Sequence, residues 1–323
     1  MVGKLTDDSG PSCSLLASIM GESPHKSQNE ALDGCMRAGK GLDIRNEQNS
    51  IMLMGDRLEA TLLNGAKEDL DLDSCITDIN TKVVHTEIPL QGSLDGICEV
   101  KEPRIIKEDP ANNIYVMTKN KEALLDGQGV LECKITSAYP ESPNELPLWR
   151  GPLQLQGLMD ITDSKYGILV VLYQSIHIRY FIYEREEETV NRIHEAVLDF
   201  DRRIREKDYF EAKDPEDAVL IYPEAQDSHL DLEQSAIKEI GSLERARDMI
   251  KRWTAEKDKH QANLMELLGD NTTGSVSHDG TTYIIKWGMR NIKPKPEKII
   301  PATEGYAVRS KTITVKHIIE DQN

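Results

Sequence analysis

Residues 129–136 read GVLECKIT, and the way this run folds decides how the rest of the chain can be arranged. In a β-strand successive side chains turn to opposite faces, so Leu131, Cys133 and Ile135 would enter a core while Glu132 and Lys134 project together from the other side. An ion pair on an edge strand would account for the two charges equally well. The same Glu-x-Lys pattern also stands at Glu99/Lys101 and at Glu211/Lys213, so the neighbouring motifs have to separate the three.

Upstream, GSLDGI (92–97) places Asp95 at a strand terminus just ahead of a glycine. Hydrolysis of a phosphodiester calls for a divalent metal on hard oxygen ligands, which lowers the pKa of bound water and neutralises charge developing on phosphorus. A nearby lysine can orient the attacking water and add positive charge at the transition state. Asp95, Glu132 and Lys134 on neighbouring strands meet these needs. Glu99 does not, because four residues beyond Asp95 on one strand lie roughly 13 Å away at about 3.3 Å per residue. Glu211/Lys213 falls at the end of a charged helix and reads as a solvated face.

The 323 residues suffice for one large domain with an appendage or for two domains, and 38% hydrophobic residues allow a sizeable core. No run approaches the roughly 18 apolar residues of a membrane span, and MVGKLTDDSG lacks the apolar segment of a secretory signal. A cytoplasmic location with no membrane partner is expected. Cys13, Cys35, Cys75, Cys98 and Cys133 form no C-x-x-C pair, which argues for reduced thiols over disulfides, a zinc knuckle or an iron–sulfur cluster. His25, His85, His177 and His194 share no metal-ligand spacing and read as structural.

The formal charge of −17 would ordinarily oppose a nucleic-acid partner, but the chain is polarised: Lys286 to Lys316 holds eight basic residues against Glu297 and Glu304. That stretch is the strongest basic surface available for DNA, or else a solvated tail offsetting an acidic body.

Along the chain, residues 12–38 suggest a short helix, a Gly-Glu-Ser-Pro turn and a second helix, and Ile51–Leu70 has helical spacing with Glu59 inside it. Strands are expected at VVHTEIPL (83–90) and SLDGICEV (93–100), then a hairpin or loop insertion over Lys101–Gln128. WRGPLQLQGLMDIT reads as a helix, YGILVVLYQ and IHIRYFIYE as strands, and Glu187 to Lys207 as a charged helix. The order predicts an α/β layered core over residues 1–213. Asp214-Pro215 marks the expected boundary of an α+β appendage (214–323), with a helix over Asp231–Leu268 and strands at TTYIIKW and KTITVKHII. The heptad of that helix lapses at Lys257 and His260, so no coiled coil is expected.

GSLDGI, GVLECKIT, LQLQGLM with its two following strands, and the earlier SCSLLASIMGESP and GDRLEATL, taken in this order over roughly Ser12 to Lys207, resemble the lambda-exonuclease/YqaJ group of bacteriophage recombination nucleases. The resemblance implies a restriction-endonuclease-like PD-(D/E)XK core, a mixed central sheet flanked by helices, and a double-strand DNA exonuclease requiring Mg2+, with Mn2+ able to substitute. It implies 5′-to-3′ resection of DNA ends for phage recombination, a ring-shaped homo-oligomer and a single-strand annealing protein as partner. Residue by residue, Asp95, Glu132 and the Cys133 carbonyl would ligate the metal, Glu59 would reach a second metal, and Lys134 would position water. Gln156, the second glutamine of LQLQG, would orient Lys134 or the water, and Ser14 and Ser93 would bind a 5′-phosphate. Leu94 stands where the group usually has proline, and no arginine precedes Ser14. Gln156 could instead satisfy a buried carbonyl, and Ser14 could cap a helix. Another endonuclease of the same fold, or a non-catalytic acidic DNA mimic, remains open on the residues alone.

Overall fold

YGILVVLY (166–173) is apolar on both of its faces, and such a strand belongs in the middle of a sheet covered on both sides. The computed structural model, which describes residues 6–42, 44, 50–77, 79–140, 146–279 and 281–289, buries every residue of it. Two compact units divide the chain, one ending at Tyr222 and the other beginning at Pro223.

In the first unit the helices are α1 (Leu16–Ile19), α2 (Gln28–Gly39), α3 (Ser50–Asp69), α4 (Pro152–Ile161), α5 (Glu187–Glu206) and α6 (Pro215–Ile221). The strands are β1 (Ser74–Ile76), β2 (Val83–Val84), β3 (Gln91–Gly92), β4 (Gly96–Lys107), β5 (Ile114–Val116), β6 (Glu122–Thr136), β7 (Tyr166–Tyr173) and β8 (His177–Glu184). The main sheet has six strands in the order β1-β4-β6-β7-β8-β5, with β6–β7 and β8–β5 parallel and the other pairs antiparallel. This is the mixed, helix-flanked sheet expected of the core.

Helix α4 makes the crossover from β6 to its parallel neighbour β7, which a two-residue turn could not. Its residues Leu153, Leu155 and Leu158 pack with Val130, Leu169 and Val171 on one face of the sheet, where Ile193 and Val197 of α5 join them. On the opposite face Leu63 and Ala66 of α3 meet Cys98, Leu131, Ile168 and Val170. Leu155 and Leu131 are both fully buried, and truncating either to alanine would cost about 2–5 kcal/mol. Gly129 is required where β6 passes β7, because a Cβ there would lie 2.2 Å from the Tyr166 ring.

Two expected strands are shorter or longer than the sequence suggests. Only Val83–Val84 and Gln91–Gly92 pair within the 83–92 stretch, because His85 Nδ1 accepts the backbone N–H groups of Glu87 and Ile88 and turns the chain. Of the hairpin or loop insertion expected over Lys101–Gln128, the hairpin alternative holds: β4 continues to Lys107 and pairs antiparallel with β6 from Glu122. The register shifts between Val100 and Arg104, around Pro103, which has no N–H for the ladder.

Beyond Lys213 the chain stays with the first unit. Asp214 caps α6 by accepting the Asp217 N–H, and Asp217 Oδ1 accepts from Ser27 Oγ at 2.6 Å. Ser27 is itself half of a capping box with Glu30 that starts α2. The expected 213/214 boundary therefore falls ahead of a helix docked on α2, and the compact unit runs on to Tyr222.

The second unit contains α7 (Ser235–Leu268) and the hairpin β9 (Thr273–His278) and β10 (Thr281–Lys286). KTITVKHII and the basic residues from Arg290 onward lie outside the described residues. Among the described residues no helix is long and apolar enough to cross a membrane.

Candidate active site

Antiparallel pairing of β4 with β6 matches Gly96 to Leu131 and Ile97 to Val130. One step further along that register brings Asp95 opposite Glu132, and opposite residues of an antiparallel pair have Cβ atoms about 4.5–5.5 Å apart on one face. Asp95 Oδ2 accepts the Cys133 N–H at 3.0 Å, which ties the two strand ends together. Glu132 and Lys134 share the α4 face of β6, and Lys134 Nζ donates to Glu132 Oε1 at 2.7 Å.

The second acceptor of Lys134 is Gln154, whose Oε1 lies 2.9 Å from Nζ. Gln156 faces elsewhere: its Nε2 donates to the Glu184 carbonyl at 2.9 Å and its Oε1 accepts the Glu186 N–H at 3.0 Å. The expectation that Gln156 orients Lys134 is therefore corrected to Gln154. Two residues along a helix turn the side chain by about 200°, so only one of the two glutamines can look at β6. Gln156 satisfies the backbone where β8 ends and α5 begins.

The electrostatics are those of crowded acids with one cation. Glu132 is buried, and burial together with Asp95 pushes its carboxyl up to about 8. Burial, then Asp95 and Asp56, raise Glu59 of α3 to about 7. Asp95 is raised as well, chiefly by burial. Burial opposes the Lys134 ammonium, yet the Glu132 and Asp95 carboxylates outweigh it and raise Lys134 above the ordinary lysine value. Glu132 Oε2 is buried and has no hydrogen-bond partner. A solvent-starved carboxylate oxygen without a donor, amid two further acids, fits a hard divalent cation held by oxygen. Asp95, Glu132 and Glu59 are the residues able to hold it.

The serines converge through the backbone. Ser12 forms a parallel bridge with Gln91, and Gln91 N–H donates to the Pro11 carbonyl. The chain at Ser12–Ser14 thus runs beside Gln91–Ser93. Ser12 Oγ and Ser14 Oγ are 3.1 Å apart, and Ser93 Oγ is buried without a partner. Ser14 caps neither the 3-10 turn at Cys13–Leu15 nor α1. Ser12 was not singled out from the sequence; its pairing with β3 is a tertiary contact that no local pattern announces.

Of the other Glu-x-Lys triplets, Glu99 and Lys101 are exposed, with the Lys101 backbone N–H donating to Asp73, and Lys213 Nζ donates to Gln28. None of the five cysteines takes part in a disulfide.

A second polar cluster gathers residues remote in sequence. His85 and His194 both aim Nε2 at Asp160 Oδ2, at 3.3 and 2.6 Å, while Arg185 donates to Asp160 Oδ1 at 2.7 Å. The set has the residue types of a metal site, but the tautomer opposes that use. His85 Nδ1 accepts two backbone N–H groups, so its proton sits on Nε2 and that nitrogen donates to Asp160. The cluster is a hydrogen-bonded hub joining the β2–β3 connection, α4, the chain after β8, and α5, in keeping with the structural reading of these histidines.

No family model matches the chain, and no curated protein resembles it in sequence. Among solved structures, the LHK-Exo complex with dAMP is similar at 15% identity and a TM-score of 0.43, over 62% of this chain and 89% of that one. The alkaline exonuclease LHK-Exo from Laribacter hongkongensis is similar at 14% identity and a TM-score of 0.41, over 62% and 90% of the two chains. A phage-related exonuclease from Haemophilus somnus 129PT is similar at 14% identity and a TM-score of 0.41, over 61% and 94%.

Proposed function

We propose that the chain is a metal-dependent nuclease of double-stranded DNA, an exonuclease that resects ends from the 5′ side for phage homologous recombination. The observation that carries the reading is the Asp95–Glu132–Lys134–Gln154 constellation on two paired strands and the helix above them. It supplies an acidic oxygen pair and a single anchored cation, the minimum for metal-assisted hydrolysis of a phosphodiester. The nearby Glu59 would reach a second metal position.

Mg2+, with Mn2+ as a substitute, would be held by Asp95, Glu132, Glu59 and the Cys133 carbonyl, and when bound supplies charge neutralisation and a water of lowered pKa. The chain's own residues do the positioning. Lys134 has three N–H donors; Glu132 Oε1 and Gln154 Oε1 take two, leaving one for the attacking water or a phosphate oxygen. Ser14 and Ser93, with Ser12 beside them, would bind a terminal 5′-phosphate through hydroxyl donors and so select the polarity. The constellation pairs no Ser, Cys or Tyr nucleophile with a base, and direct attack by water follows, without a covalent intermediate.

A ring of copies around the duplex and an annealing protein as partner belong to the same proposal. The decisive experiment digests 5′-labelled and 3′-labelled linear duplexes beside closed circular DNA, with and without Mg2+. Mg2+-dependent loss of the 5′ label first, with the circle intact, supports the proposal. Nicking of the circle would make the protein an endonuclease, and inactivity with every divalent ion would leave an acidic DNA mimic.

A further inference from the structure

Helix α7 carries an apolar stripe that the described residues of its own unit leave open. Ile250 is 66% exposed and Trp253 64%, and these two with Ala246, Met249 and Lys257 line a shallow groove made of α7 residues alone. Among the described residues of the helix only Leu268 is buried, against Gly274 of the hairpin. A helix of this length is held chiefly by burial of its apolar face, and an open stripe of this kind marks an interaction surface.

The pattern of the stripe identifies the occupant. Its residues fall at alternating steps of three and four: Ala236, Glu239, Leu243, Ala246, Ile250, Trp253, Lys257 and His260. Parallel pairing of two such helices in register would set Glu239 against Glu239, Lys257 against Lys257 and Trp253 against Trp253. Antiparallel pairing about a two-fold axis at Asp248 instead sets Glu239 against Lys257, Ala246 against Ile250, Leu243 against Trp253 and Ala236 against His260. The charges that interrupt the seam then neutralise each other, and the small Ala246 meets Ile250 while Leu243 meets the larger Trp253. The helix has seven Lys/Arg and six Asp/Glu in a chain of charge −17, so two acidic copies meeting here do so along a near-neutral surface.

We propose that α7 is a self-association surface, pairing antiparallel with the α7 of a second copy in this register. The paired stretch, Ala236 to His260, is about 37 Å long at 1.5 Å per residue. The pairing is independent of the nuclease reading, because it uses no residue of the first unit.

Sedimentation velocity on the full-length chain across the micromolar range tests it. The parent should self-associate; Glu239→Lys and Lys257→Glu should each weaken association about tenfold, since each puts two like-charge contacts into the seam. The double reversal Glu239→Lys/Lys257→Glu should restore association, and Ile250→Asp should abolish this step. A parent in which Ile250→Asp changes nothing, or single reversals not rescued by the double, would overturn the proposal. A monomeric parent would overturn it too, and would point to the stripe's being covered by the chain's own C-terminal residues.

Discussion

Lys134 Nζ sits 2.7 Å from Glu132 Oε1, two residues away on the same face of β6, and holds there a carboxylate that is 1% exposed. A buried pair of this kind is poor evidence for stability, because desolvation opposes the Coulombic gain. With Asp95 across the strand pair the local charge is unbalanced by one further acid, which a catalytic centre can use and a structural ion pair would avoid.

Glu132→Gln keeps the shape and removes a charge from the oxygen cluster, so hydrolysis of linear duplex should fall by at least about 100-fold. Lys134→Ala should lose as much while still binding Mn2+. Circular dichroism should show both folded. Near-parental activity in either would mean that this triplet is not the site.

The two glutamines of LQLQG should separate cleanly. Gln154→Ala frees Lys134 and should lower kcat about tenfold with little change in Tm. Gln156→Ala leaves the Glu186 N–H and Glu184 carbonyl unpaired and should cost about 1–3 kcal/mol of stability, with kcat of the folded fraction preserved. The reverse assignment of effects would restore Gln156 to the site.

Metal-free stability should fall as pH rises. Glu132 at about 8 and Glu59 at about 7 lie above the ordinary glutamate value of 4.5, so over that window the folded state holds more protons than the unfolded one. Linkage then makes the slope of unfolding free energy with pH negative between about 4.5 and 8. Mg2+ competes with those protons, so the Tm gain on adding it should be larger at pH 8.5 than at pH 6. A pH-independent gain in thermal melts would show that these acids do not take the ion.

If Ser93 and Ser14 bind the terminal phosphate, 5′-phosphorylated duplex should be degraded faster than 5′-hydroxyl duplex, and Ser93→Ala should shrink the ratio several-fold, as loss of one hydrogen bond to a charged group would. Equal rates on the two ends in the parent would remove the basis for 5′ polarity.

Truncation after Tyr222 should leave a folded first unit with weaker DNA affinity and a shallower slope of log affinity against log salt, because the basic residues from Lys286 onward no longer release counterions. Truncation after Lys213 should also lower Tm, since it strips Asp217 from Ser27. Unchanged affinity and salt slope in the first variant would assign the tail to another task.

Much of the candidate site's geometry was legible because it lies on one strand and its antiparallel neighbour. Alternation alone put Glu132 and Lys134 on one face, and reach along the strand excluded Glu99. The continuous apolar run at 166–173 likewise declared a central strand, since only a strand covered on both faces can bury every side chain.

What the sequence could not decide was the rotation of helices about their axes and the meeting of segments far apart in the chain. Gln154 and Gln156 alternate with the same leucines, and only the packing of Leu153, Leu155 and Leu158 on the sheet settles which glutamine faces Lys134. His85 and His194 show no ligand spacing, yet both reach Asp160. Asp214-Pro215 reads locally as a break, but the Ser27–Asp217 hydrogen bond carries the unit past it. Local pattern sets which face of a strand a residue occupies, because backbone sterics impose that period. The direction of a helix face, and the pairing of distant polar groups, follow from burial summed over the whole core, which only the tertiary structure expresses.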